Sequence, residues 1–173
     1  MEILEPKTNN ALKFKLINNF TILWMLLLFA VSSANAVTIN VDTTISASDA
    51  SYDNQDLTID AAVLTIDGIH TFLNVQLING ATITHTQGIN GANLSMVNLS
   101  IDATSKIDLS GKGKAFVTGE ITGLAGASHA GLGIIRTNEI TNGSYGDLRQ
   151  PAELGSSTSR KLGGGSIRLN VSN

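Results

Sequence analysis

A 24-residue echo constrains this chain more than any other feature of it. The stretch Phe72-Leu73-Asn74-Val75-Gln76-Leu77 is answered by Met96-Val97-Asn98-Leu99-Ser100-Ile101. A second set rides on the same spacing: Thr58-Ile59-Asp60, Thr82-Ile83-Thr84 and Lys106-Ile107-Asp108. Apolar residues return to one phase each time, and Asn74 returns as Asn98. A period of this length with strand-like alternation marks a solenoid, in which each repeat is one coil stacked on the last. The expected fold is therefore all-β, a parallel β-helix with coils of about 24 residues. Leu73, Val75 and Leu77 then point inward below Val97, Leu99 and Ile101, one rung of roughly 4.8 Å away. Ile59, Ile83 and Ile107 form a second interior ladder. Asn74 over Asn98 is either a solvent-facing pair or a side-chain amide ladder.

Residues 1–36 read as a secretory signal peptide, helical in its apolar core. Lys7, Lys13 and Lys15 lead into the apolar run from Phe20 to Val31, and Ser32-Ser33-Ala34-Asn35-Ala36 supplies the A-x-A cleavage site. Ala34 and Ala36 are the cleavage residues, and Val37 begins the mature chain. The competing reading, a membrane anchor, needs roughly 20 apolar residues, which this core does not supply. Asn18 and Asn19 block its extension towards the N-terminus.

Without the leader the balance is eight basic against twelve acidic residues, net −4, with no basic run. Nucleic acid has no electrostatic footing on such a chain. There is no cysteine, so in an exported chain a small disulfide-stapled fold is excluded and packing alone must hold the structure.

From Val37 to Gly111 short bursts of Thr, Ile, Val and Leu alternate with Asn, Asp and Ser, the pattern of half-buried strands. Asp67-Gly68, Asn79-Gly80, Asn90-Gly91 and Ser110-Gly111 punctuate them as turns. From Gly111 onward the texture changes, and 13 of the 17 glycines lie there. Residues 112–162 are expected to form a Gly-rich excursion, and a loop of that length is usually functional or disordered. Alternation resumes at Ser166-Ile167-Arg168-Leu169-Asn170-Val171, so residues 163–173 read as the start of a next coil. The pattern stops at Asn173 without a polar cap, which a solenoid end requires. The expectation is an N-terminal piece of a longer protein.

The C-terminal half carries Ile107-Asp108-Leu109-Ser110-Gly111-Lys112-Gly113, Ser128-His129-Ala130-Gly131-Leu132-Gly133, Tyr145-Gly146-Asp147-Leu148-Arg149-Gln150-Pro151, Leu154-Gly155-Ser156 and Gly163-Gly164-Gly165-Ser166-Ile167-Arg168-Leu169. In this order they resemble the glycine-rich block of very large bacterial surface proteins, adhesin-like chains with embedded parallel β-helices. The resemblance covers roughly residues 55–173. It implies surface location and a β-helix fold rather than a reaction. Ala130 stands where that family usually has Gly, and Ser156-Ser157-Thr158-Ser159-Arg160-Lys161 replaces a glycine run.

Candidate chemistry is sparse. His129, flanked by glycines, is either a ligand-binding residue or an imidazole bonded to backbone groups of the crossover. No second His or carboxylate accompanies it at metal-ligand spacing. Tyr145 and Arg149, in the Y-G-D-L-R-Q-P element, complete the loop candidates. His70 and His85 are expected at the coil surface or partly buried. Asp49, Asp53, Asn54 and Asp56 invite a calcium reading but lack the order of a hand-type loop, so a solvated acidic turn is expected. Asp60 and Asp108 share a phase with Lys106 nearby, a thin basis for general acid–base catalysis. Gly111-Lys112-Gly113-Lys114 lacks phosphate-loop spacing. The N-x-[ST] sequons at Asn93, Asn98, Asn142 and Asn170 matter only in a cell that N-glycosylates. The expectation is an exported, non-enzymatic surface protein without cofactor or metal, secreted or held at the cell surface. It would be adhesin- or stalk-like, meeting surface glycans or other surface proteins, and meeting membrane only during export. The alternative is a truncated carbohydrate-active β-helix enzyme, pectin lyase-like, without its catalytic coils.

Overall fold

The structure, a computed structural model, describes residues 36–173 apart from residues 118, 120, 123, 124, 135, 136, 150 and 151. The expected leader lies outside the described residues, Ala34 with it. Ala36 alone of its residues is described, and it opens the first strand.

The fold is all-β. Its strands are β1 (Ala36–Ile39), β2 (Thr43–Ile45), β3 (Asp56–Asp60), β4 (Val63–Ile66), β5 (Gly68–Thr71), β6 (Asn74–Ile78), β7 (Thr82–Thr84), β8 (Ala92–Met96), β9 (Asn98–Ile101), β10 (Lys106–Ile107) and β11 (Ile167–Val171). They form three sheets, ordered β1-β3-β6-β9, β2-β4-β7-β10 and β5-β8-β11. Every pairing between them is parallel. From β3 onward the chain visits the first, second and third sheets in turn and returns beside its previous visit; the first circuit, β1 and β2, has no strand in the third sheet.

Alternation dictates which side chains face in. In β3 and β6 the buried positions are Leu57, Ile59, Val75 and Leu77, while Thr58 and Gln76 face out. Register stacks like upon like: Val75 pairs with Leu57 and Leu99, and Leu77 with Ile59 and Ile101. One continuous apolar core results, running from Ile39 and Ile45 to Leu94 and Met96.

The 24-residue echo holds for only part of the chain. Asn74 pairs with Asn98, Thr82 with Lys106 and Gly68 with Ala92, all 24 apart. Leu57, however, pairs with Val75 and Leu64 with Ile83, so the preceding circuit is shorter. Ile59 accordingly sits in the first sheet between Ile39 and Leu77, not below Ile83. Ile83 stacks on Leu64 and Ile107 in the second sheet. Leu73 and Val97 lie at a corner rather than inside a strand, joined by the Val97 N–H donating to the Leu73 carbonyl at 2.8 Å.

Most of the difference arises at one corner. Between the second and third sheets the link is Asp67 alone on one circuit, residues 85–91 on the next and residues 108–166 on the last. The strands on either side stay short, two to five residues each, while this corner absorbs the inserted chain. The Gly-rich segment is thus an enlarged corner, and β11 lies beside β8, on the circuit that β9 and β10 began.

At the other end, residues 46–55 run along the free edge of β5. The Asn54 N–H donates to the Thr71 carbonyl at 2.7 Å, and the Leu73 N–H to the Gln55 carbonyl at 3.0 Å. His70 fastens this segment from inside the core. Its Nδ1 meets Asp53 Oδ1 at 2.9 Å and its Nε2 meets the Asp67 carbonyl at 3.0 Å. Phe72 stacks on the ring. His70 and His85 are therefore interior residues, 2% and 0% exposed, not residues of the coil surface.

Interior rungs should dominate stability. Leu77→Ala, at a position 0% exposed between Ile59 and Ile101, should cost about 2–5 kcal/mol in urea unfolding followed by circular dichroism. Val41→Ala, at an exposed position, should change stability by no more than about 0.5 kcal/mol.

Candidate functional site

The enlarged corner is held by close backbone contacts rather than by strands. The Gly113 N–H donates to the Gly163 carbonyl at 2.8 Å, Lys114 N–H to Gly155 at 2.9 Å, and Gly155 N–H to Gly164 at 2.8 Å. A Cβ on Gly155 would lie 3.0 Å from the Gly164 nitrogen, and one on Gly165 would strike the His85 ring. This is the physical reason for glycine at 163 and 165, where the returning chain passes against the Gly155 backbone and the His85 imidazole with no room for a side chain, whereas a Cβ at Gly164 would meet open space.

His85 is the fastening point. Its Nδ1–H donates to the Thr86 carbonyl at 2.8 Å, and its Nε2 accepts the Ser166 N–H at 3.0 Å. That arrangement requires the neutral ring with its proton on Nδ1. The sequence distance bridged is 81 residues, so one buried side chain sets where β11 re-enters the third sheet.

Within the excursion the hub is Ser128, which is 0% exposed. Its N–H donates to Asn142 Oδ1 at 2.8 Å, and its hydroxyl accepts the Gly133 N–H at 2.9 Å. Its carbonyl accepts from Asn142 Nδ2 and from the Ser156 hydroxyl. Tyr145 joins through its hydroxyl, which donates to the Leu154 carbonyl at 2.6 Å and lies 2.7 Å from Ser156 Oγ. The His129 ring meets the Tyr145 ring edge-on, centroids 4.9 Å apart, and Lys114 Nζ stands 3.5 Å above the same ring. A cation over an aromatic face is electrostatically favourable. Lys114, Tyr145, Asn142, Ser156, Val117 and Ile140 are among the residues lining a cavity of about 600 Å³.

The structure therefore brings two of the three loop candidates together. His129 and Tyr145 are in contact, with Tyr145 on the cavity wall and His129 behind it. Arg149 is exposed, and its backbone N–H donates to the Asp147 carboxylate at 2.6 Å. The His129 Nε2 is buried without a hydrogen-bond partner, so at this nitrogen the expected bond to backbone is not made. Sequence reasoning missed Lys114, Asn142, Ser128 and Ser156. Ser128 adjoins His129 in the same motif, where only its burial marks it as the hub.

The carboxylates are engaged at corners and turns. Asp42 accepts the Val63 N–H at 2.8 Å, Asp60 accepts from Asn79 Nδ2 at 2.7 Å, and Asp102 accepts the Asn79 N–H at 2.7 Å. Asp67 receives both the N–H and the hydroxyl of Thr86. On the outer face Asn98 donates to Asn74, which donates to Asp56, each at 2.6 Å. The repeated asparagines are thus rungs of an amide ladder that ends on a carboxylate.

The acidic residues that suggested calcium diverge. Asp49 caps Ser51, Asp53 pairs with His70 and Asp56 accepts from Asn74. Among the described residues no three metal-binding side chains group together. Asp60 closes β3 of the first sheet, whereas Asp108 follows β10 of the second and pairs with Lys106 at 2.9 Å. The Lys106 ammonium, with Ser110, holds Asp108 well below the usual carboxylate range. Asp102 is lowered by Ser105 and by the Asn79 and Thr104 groups, and Asp49 is lowered by Ser51.

No protein-family model, curated protein or solved structure matches this chain.

Two outcomes follow from this geometry. Tyr145→Phe leaves the buried Leu154 carbonyl without its donor, a loss of about 1–3 kcal/mol. It should speed limited proteolysis within residues 112–162 while β3 to β8 stay protected. The lowered carboxylates give acid lability with a definite sign. The folded state favours their ionised form, so their contribution is full above the ordinary carboxylate value. It is lost as pH falls below about 4. Asp102→Asn should lower the melting temperature at neutral pH and make the fall below pH 4 shallower, as read by thermal melts from pH 7 to pH 2.

Proposed function

We propose that this chain is an exported, non-enzymatic surface protein whose sheets wind as the parallel β-helix of an adhesin- or stalk-like molecule attaching to surface glycans. The observation that carries the reading is the cyclic order of three parallel sheets, each return in register with the last. Such stacking makes a stiff prism whose outer faces repeat polar side chains at rung spacing, and many weak contacts along a face add through multivalency. The Asp56-Asn74-Asn98 file and the neighbouring Thr58, Gln76 and Ser100 give one such face.

The engagement of the carboxylates supports a binding role over a hydrolytic one. The acidic groups weighed for catalysis stand on different sheets and brace turns or pair with Lys106. The corner between the second and third sheets concentrates the inserted chain on one flank, where attachment to a partner leaves the stacked core undisturbed. The first sheet begins at Ala36, next to the expected cleavage point, so removal of the leader would leave almost the whole of β1 in place.

Secretion of the full chain from a heterologous host should yield a product whose N-terminal sequencing begins at Val37. Immobilised on beads, that product should adhere to polysaccharide-coated surfaces without releasing reducing ends. Release of reducing ends, or no adhesion to any coated surface, overturns the proposal.

A further inference from the structure

Beside the enlarged corner, on the outer face of the third sheet, lies a cleft of about 470 Å³. The parallel register of β5, β8 and β11 aligns Ile69, Asn93 and Arg168 in one file across it. Thr71, Ser95 and Asn170 form the adjacent file. Asn90 and Ser166 line the corner side.

Three features of this file are chemically specific. Ile69 is 72% exposed, an apolar side chain standing among polar ones. Asn93 Oδ1 accepts from Asn170 Nδ2 at 3.2 Å, which leaves the Asn93 NH₂ to donate outward. Arg168 is exposed and makes no ion pair with a described residue. The described lining contains no Asp or Glu, although acidic residues outnumber basic ones, 14 to 11. The cleft therefore offers an apolar platform, amide donors and a guanidinium with no ion-pair partner among the described residues. Rungs roughly 4.8 Å apart put the platform and the guanidinium about 10 Å from each other, the reach of a disaccharide.

We infer that this cleft binds an acidic saccharide, with Arg168 holding a uronate carboxylate, Asn93 donating to a ring oxygen or hydroxyl, and Ile69 packing on the apolar face of the neighbouring sugar. Guanidinium and carboxylate match in planar, two-point geometry, which a neutral sugar cannot reproduce. The inference rests on the glycan-attachment reading and names the class of glycan. The alternative anionic partner, an acidic peptide, carries carboxylates without a pyranose face for Ile69, so the observations favour the saccharide.

The test is titration calorimetry on the full secreted chain with trigalacturonic acid, maltotriose and triglutamate as probes. Trigalacturonic acid should bind, and more weakly at 0.5 M salt than at physiological strength, as an exposed charge contact requires. Arg168→Gln, at an exposed position, should lower that affinity by about tenfold or more, and Arg168→Lys should fall between. Ile69→Ser should also weaken trigalacturonic acid, because it removes the apolar platform. Circular dichroism should show each variant folded as the parent. Equal binding of maltotriose, or acidic-sugar binding unchanged by Arg168→Gln, overturns this inference while the attachment reading stands. Triglutamate binding as tightly as the sugar acid overturns the saccharide assignment. Adhesion to polysaccharide surfaces, measured separately, decides the broader proposal.

Discussion

Everything in this structure depends on register between strands that are far apart in sequence. No strand of the three sheets pairs with its immediate neighbour in the chain; each pairs with strands 18 or more residues away. Parallel pairing forces this, because the chain must travel around before it can return in the same direction. A one-residue slip would send Leu57, Ile59, Val75 and Leu77 outward together. The apolar stripes of one circuit therefore stabilise those of the next.

The corners convert that stacking into a fixed register. Asp42, Asp60 and Asp102 accept hydrogen bonds from residues of the adjoining circuit, so each corner is tied both to its strand and to its neighbour. Ionised acceptors make the stronger hydrogen bonds, and backbone donors at turns would otherwise have only water. Among the described carboxylates Asp42, Asp49, Asp67, Asp102 and Asp108 each accept a backbone N–H at a corner or turn. Their engagement leaves the third-sheet cleft as a flank where Arg168 has no ion-pair partner among the described residues.

Strand positions were legible from the sequence, because period-two alternation is a direct consequence of pleated geometry. The pairing of Asn74 with Asn98 and of Val75 with Leu99 was legible too, since both pairs span the one circuit whose length equals the 24-residue echo. The ladder assigned to Ile59, Ile83 and Ile107 was not. Its spacing coincides with the true repeat only for the last two, because the corner that Asp67 closes alone is later filled by residues 85–91. Periodicity cannot report an insertion at one corner when the strands on either side keep their pattern. The interior places of His70 and His85 were hidden for a different reason. A polar residue at an inward phase is tolerated when partners satisfy it, and the partners, Asp53 and Ser166, come from distant segments. The contact of His129 with Tyr145 likewise depends on the path of the excursion, which no local pattern encodes.

The enlarged corner shows why so irregular a segment can coexist with so regular a stack. Replacing a corner of seven residues by one of 59 costs only about 2 kcal/mol in loop-closure entropy, since that cost grows with the logarithm of length. The Ser128 hub, the glycine crossings and the His85–Ser166 bond act against that cost by fixing the segment at both ends and at its centre. The bond from His85 matters most for the cleft: it sets the point of return, and the point of return puts Arg168 beside Asn93. A corner that can lengthen without disturbing the rungs, but must re-enter at a defined place, gives this architecture a site for new surface chemistry. Chain added there changes what the flank can hold while the core beneath remains the same.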